Sequence, residues 1–229
     1  MSVEDNDNYY VLPEEKSEFE DHSPLNYANI EESEEEPIEE GNKNIKTSSA
    51  FGLLLNIMFN PVEGWKKLRR SKMSVESLQS GCFYPVLAIM AVSRFAEYFY
   101  SVNISLSHLL TQAVVEFVAF FLGYFCVQMV LLWILPTNVA ERFEERFGKE
   151  YTLIALSTLA LFSIFTNILP MLWPILIFLP IWTLYIMFKG IRFFLFPEKQ
   201  EMKFFVLSGT AVIGVPLLIE WALNSILPY

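Results

Sequence analysis

Residues 151–188 contain no Asp, Glu, Lys or Arg. Drawn out as one helix at ~1.5 Å per residue, such a run would measure roughly 57 Å, close to twice a ~30 Å hydrocarbon core. A soluble domain has no use for so long an uncharged element, so the run reads as two membrane spans joined by a reversal. The reversal belongs at residues 167–174 (NILPMLWP), where two prolines and an asparagine permit a tight turn. The rest of the chain agrees. At 53% hydrophobic and 16% aromatic residues it is too apolar for an ordinary soluble core.

Three more spans are read at about residues 82–101, 109–135 and 204–227. The expected fold class is therefore all-α: a polytopic membrane protein with five transmembrane helices, a cytoplasmic interfacial helix and a disordered acidic N-terminal tail. Pro85, Pro180 and Pro216 fall inside spans and predict kinks, which neighbouring helices can accommodate. Ala119 and Gly123, four residues apart, offer one point of close helix approach.

The net charge of -10 describes no single part of the chain. Residues 1–50 hold fifteen Asp/Glu and three Lys, a balance of -12; the rest hold thirteen Lys/Arg and eleven Asp/Glu, a balance of +2. Three regions follow: an acidic cytoplasmic tail at 1–49, an amphipathic basic segment at 50–72 and a five-span domain at 73–229. In the tail, the like-charge block EESEEEPIEE repels itself and buries too little apolar surface to offset the entropy of ordering. Two islands, Tyr9-Tyr10-Val11-Leu12 and Leu25-Asn26-Tyr27-Ala28-Asn29-Ile30, read either as docking motifs or as incidental aromatics in a solvated tail. The first ten residues lack the cationic flank and apolar core of a signal peptide, so the spans must direct insertion themselves.

In the 50–72 segment, Leu53, Leu54, Ile57, Met58, Val62, Trp65 and Leu68 recur near helical spacing. Pro61 suits a first helical turn after Asn60 as cap. Residues 51–59 are too short to span, so the segment is expected to lie at the headgroups with Trp65 in the interface. Lys66, Lys67, Arg69, Arg70 and Lys72 anchor it and fix orientation, because juxtamembrane cations stay on the cytoplasmic side. Arg142, Arg146 and Lys149 in one connection, and Lys189, Arg192, Lys199 and Lys203 in another, fall on that same side. The opposite connections carry no Lys or Arg. The N-terminus is thus expected in the cytoplasm and the C-terminus outside. The connections 139–147 (VAERFEERF) and 197–203 (PEKQEMK), with the 50–72 segment, read either as a shallow surface for anionic lipid or protein or as ordinary anchoring loops.

Catalytic motifs are absent. There is no HExxH, GxSxG, Gly-rich phosphate loop or Cys/His cluster of metal-ligand spacing, and neither cofactor nor metal is expected. His22 and His108 have no partner in sequence. Cys82 and Cys126 read as small buried thiols.

The sharp feature is four ionisable residues within spans: Arg94, Glu97, Glu116 and Glu220. Each costs about 2.5–3.5 kcal/mol at the bilayer centre, so each needs a partner or a wet cavity. Arg94 lies roughly 18 Å from the cytoplasmic edge and Glu116 roughly 19 Å at helical rise, which predicts a pair between the first two spans. Glu97 shares the Arg94 face at i+3, and Glu220 lies toward the outer leaflet. Such a cluster is either a packing staple that fixes helix register or a proton or ion site.

The stretch Phe59-Asn60-Pro61-Val62-Glu63-Gly64-Trp65 with its basic sequel, followed by five spans, resembles the Yip family of integral membrane proteins. The junction YIMFKGI at 185–191, followed by Lys203-Phe204-Phe205, is also similar to that family's connection between the fourth and fifth spans. The resemblance covers roughly residues 51–227. Eukaryotic relatives are implicated in vesicle traffic and bind Rab-type GTPases through cytosolic N-terminal regions. Their Asp-Leu-Tyr-Gly-Pro signature does not appear here, and Gly123-Tyr124 stands in a span without that context. The chain is more similar to bacterial members, which implies an inner-membrane location.

Two function classes remain at this point. The first is a non-enzymatic membrane adaptor or organiser that recruits a cytoplasmic partner through its tail or shapes the bilayer. The second is a small transporter or channel, or a subunit of one, built on Arg94, Glu97, Glu116 and Glu220. The bilayer is a partner in both, and a homo-oligomer is compatible with both. Nucleic acid is not expected, since the acidic tail would repel phosphate.

Overall fold

The computed structural model describes residues 43–71, 73–101, 104–134, 146–176, 178–193 and 198–227. These form seven principal helices: α1 (Lys43–Phe59), α2 (Pro61–Arg70), α3 (Val75–Phe99), α4 (Leu106–Ile134), α5 (Arg146–Ile168), α6 (Leu179–Ile191) and α7 (Glu198–Ile226). No strand occurs among the described residues. The acidic block, both aromatic islands and most of the 139–147 connection lie outside them.

Four helices, α3, α4, α5 and α7, contain windows long and apolar enough to cross a membrane. The expected fourth span takes a different form. After α5 the chain makes a tight turn at Pro170–Leu172, a single turn at Trp173–Leu176, and then α6. At ~1.5 Å per residue α6 extends about 20 Å, well short of a ~30 Å core. The cause is proline placement. Pro180 sits in the first turn of α6, where its missing N–H costs nothing, so it starts a helix instead of kinking one. Pro216 lies deep inside α7, where Gly123 of α4 faces its ring. Beside it Ala119 is fully buried, so the small pair does face another helix.

Pro85 has a local consequence in α3. Its ring would collide with the carbonyl four residues back, and the helix widens into a π-turn at Gln79–Phe83, with Tyr84 N–H reaching Gln79 O. At its far end α3 tightens into a 3₁₀ stretch, Arg94–Phe99.

The basic segment departs most from expectation. It is not one helix but a hairpin, α1–α2, broken at Asn60 and packed into the bundle. Helix α1 begins at Lys43, inside the stretch read as tail. Pro61 does occupy the first turn of α2, though the Asn60 side chain makes no capping bond. In α2 the buried residues are Pro61, Gly64, Trp65 and Leu68, the i, i+3, i+4, i+7 stripe of an amphipathic helix. The two arms touch at Gly64, where a Cβ would come within 2.5 Å of the Ile57 Cα. Ala50, Leu53, Leu54 and Ile57 on α1 join the same core as Leu87 and Met90 of α3. The reason is composition: an apolar α1 gains more contact inside a bundle than along headgroups.

Trp65 is corrected with it. Expected to face the interface, its indole is only 4% exposed. The ring nitrogen donates to Ile186 O at 3.0 Å, and the ring packs at 5.8 Å from that of Tyr151. On the other side it lies against Gly190, where a Cβ would fall 2.7 Å from Trp65 Cε2. Helix α2 therefore stands alongside α6, with Trp182 Nε1 donating to Met58 O at one end and Arg69 Nη1 to Phe193 O at the other. The cations Lys67, Arg69 and Arg70 remain exposed, and Lys66 is half-buried.

Two smaller expectations also change. Cys82 is buried, its thiol 3.8 Å from Ser157 Oγ, but Cys126 is exposed on α4. Residues 198–203, read as a short charged loop, form the opening turns of α7, because nothing in that sequence stops a helix.

Candidate functional site

The charges singled out in the sequence converge from three helices, and a fourth supplies an amide. Arg94 lies at the start of the 3₁₀ stretch of α3, Glu116 in the first half of α4, Asn167 at the end of α5, and Glu220 six residues before the end of α7. The structure places Arg94 Nε 2.6 Å from Glu116 Oε2 and Arg94 Nη2 3.4 Å from Glu220 Oε1. The first contact is a short charge-assisted bond and the second is looser.

Glu116 is the inner member. Its side chain is 3% exposed, whereas Arg94 and Glu220 are each 24% exposed. A carboxylate so enclosed needs more than one partner. The Asn167 amide supplies them, donating to Glu116 Oε2 at 3.1 Å and Oε1 at 3.4 Å. The same Nδ2 stands 3.0 Å from Ser93 Oγ, and Ser93 donates onward to Met90 O at 2.6 Å. The backbone carbonyl of Asn167 accepts from the Tyr100 hydroxyl.

Of the four charges singled out in the sequence, Arg94, Glu116 and Glu220 meet. Glu97 does not join them by a direct ion pair among the described residues; its Oε1 accepts from Ser101 Oγ at 3.5 Å. Asn167 and Ser93 were not anticipated. The available signal for Asn167 was an amide in an otherwise apolar run, and it was absorbed into the reading of a turn. Glu150, beside Lys149, is fully buried at the start of α5.

Chemically, the site is a network of one guanidinium, two carboxylates and an amide, each pointing at a side chain from another helix. It joins α3, α4, α5 and α7 at the end of the bundle remote from Arg69 and Arg70. No group of three His, Cys, Asp or Glu suited to a metal occurs among the described residues. The basic residues lie elsewhere: Arg69 over the Phe147 ring at 5.8 Å, Lys189 over Tyr185 at 5.4 Å and Arg192 over Phe188 at 5.3 Å. Each cation thus rests its charge on an aromatic face at a helix end.

No curated protein and no solved structure is significantly similar to the chain. The family comparison is positive: the Yip1 domain model matches residues 55–221, from within α1 to near the end of α7, and covers α2 and the whole ionic network. The chain is an integral membrane protein and belongs to the Yip family.

Proposed function

We propose that this protein is a non-enzymatic membrane adaptor or organiser, whose helical domain holds position in the bilayer while the acidic N-terminal region recruits a cytoplasmic protein. The observation that carries the reading is the closed character of the ionic network. Arg94, Glu116, Asn167 and Glu220 are spent on one another across helices, which is what a register-fixing staple requires. The chemistry left for partners lies in residues 1–50, with a charge balance of -12.

In this reading α6 and the turns before it make a fifth, broken crossing. The N-terminus and the cations of α2 then face the cytoplasm and the C-terminus lies outside, in a bacterial inner membrane. Broken helices are tolerated at membrane depth when protein covers them, and α6 is flanked by α2, α5 and α7.

Cross-linking in native membranes tests the reading, comparing the full chain with a form lacking residues 1–42, which leaves α1 intact. A near-stoichiometric partner that disappears with the tail is expected. Self-contacts alone in both forms would overturn it.

A further inference from the structure

A second polar feature lies at the opposite end of the bundle from the ionic network. Between the start of α3, the second half of α4 and the start of α5 is an open groove of about 620 Å³. Its walls carry Glu76 and Gln79 from α3, Tyr124, Phe125 and Gln128 from α4, and Lys149 from α5. Glu76 and Lys149 are exposed, and no ion pair joins them among the described residues. Both charges reach solvent at the groove.

The groove is built, not left over. Gln79 is the first residue of the π-turn, a wide turn that recurs at functional sites. Gln128 Nε2 is tied to Gly148 O at 3.4 Å, so the α4 and α5 walls are held together. Tyr124 is buried beneath, its ring 5.7 Å from that of Phe83. Phe125, 48% exposed, gives the groove an apolar edge on α4. Arg69, over Phe147, marks this end as the one that carries the cations of α2.

A site with one cation, one carboxylate, two amides and an apolar exit suits a ligand that has an anion, a donor cation and a hydrocarbon tail. We propose that the groove seats the headgroup of a phospholipid bearing a primary ammonium, with the phosphate toward Lys149 and the ammonium toward Glu76. The inference rests on the chain being a membrane protein and not on the adaptor reading. A quaternary ammonium has no N–H to donate to Glu76, and an anionic glycerol headgroup has no cation for it, so both should bind less well.

Native mass spectrometry of the delipidated full chain tests this, with phosphatidylethanolamine, phosphatidylcholine and phosphatidylglycerol offered in equal amounts. Phosphatidylethanolamine should be retained about tenfold over either competitor, the scale of one charge-assisted hydrogen bond. Glu76→Gln should erase the preference over phosphatidylcholine, Glu76→Asp should keep it, and Lys149→Gln should lower retention of all three. Both residues are exposed, so the melting temperature should not move. Soluble glycerophosphoethanolamine should displace the lipid while inorganic phosphate should not. Equal retention of the three lipids, a preference that survives Glu76→Gln, or displacement by phosphate alone would overturn the proposal.

Discussion

The bundle is held at its two ends by junctions of opposite chemistry. Near α2, Trp65 is clasped by Tyr151, Ile186 and Gly190, and Tyr151 meets Phe204 at 5.8 Å and Ser208 Oγ at 3.3 Å. At the other end, Arg94 is clasped by Glu116 and Glu220, with Asn167 completing the shell. The aromatic junction works by fit: lipid is as apolar as the core, so association depends on close packing and a few interhelical hydrogen bonds. The ionic junction works by necessity, because each charge is expensive wherever its partner is missing. The contrast teaches that these junctions should fail differently. Loss of a partner should be severe at the ionic end, and loss of shape should be graded at the aromatic end.

The largest effect is expected from Arg94→Leu, which strands Glu116 at 3% exposure. Loss of about 3–5 kcal/mol is expected, read as a fall in the melting temperature of the purified protein. R94Q/E116Q, which removes both charges and keeps polar side chains, should recover most of it. If the double variant is no better than the single one, the two charges do not act as a pair.

Next is Asn167→Ala, which removes the amide from both Glu116 oxygens. A cost of about 1.5–3 kcal/mol is expected for bonds to a charged group. It should shrink when measured in a Glu116→Gln background, and an unchanged cost there would separate Asn167 from the network.

Gly190→Val probes the aromatic end, since a Cβ there lies 2.7 Å from Trp65 Cε2. Overpacking of about 1–3 kcal/mol is expected, relieved in the same melting assay by adding Trp65→Leu. Without that relief, the crowding would lie elsewhere. The smallest effect is expected from Trp65→Phe, about 1 kcal/mol for the lost bond to Ile186 O. A loss as large as that of Arg94→Leu would erase the distinction between the two ends.

How legible each junction was follows from the same physics. A charge in an apolar run is conspicuous, and helical rise alone put Arg94 and Glu116 at matching depths. The amide of Asn167 carries no charge and sits beside Pro170, so turn chemistry masked it. Trp65 was harder still. Amphipathic spacing with trailing cations describes a helix with one free face and a helix packed against α1 and α6 equally well, and only the contacts of Gly64 and Gly190 separate them. The broken form of the stretch after the 167–174 turn was hidden for a similar reason: hydropathy registers apolar length but not the helix start that Pro180 imposes.

Partner recovery from R94Q/E116Q, per unit of folded protein and beside the form lacking residues 1–42, tests the division of labour most directly. If the ionic junction is a staple and the tail recruits, the folded double variant should recover as much partner as the parent chain, and the truncated form none. A folded double variant that loses the partner, beside a truncated form that keeps it, would contradict the account.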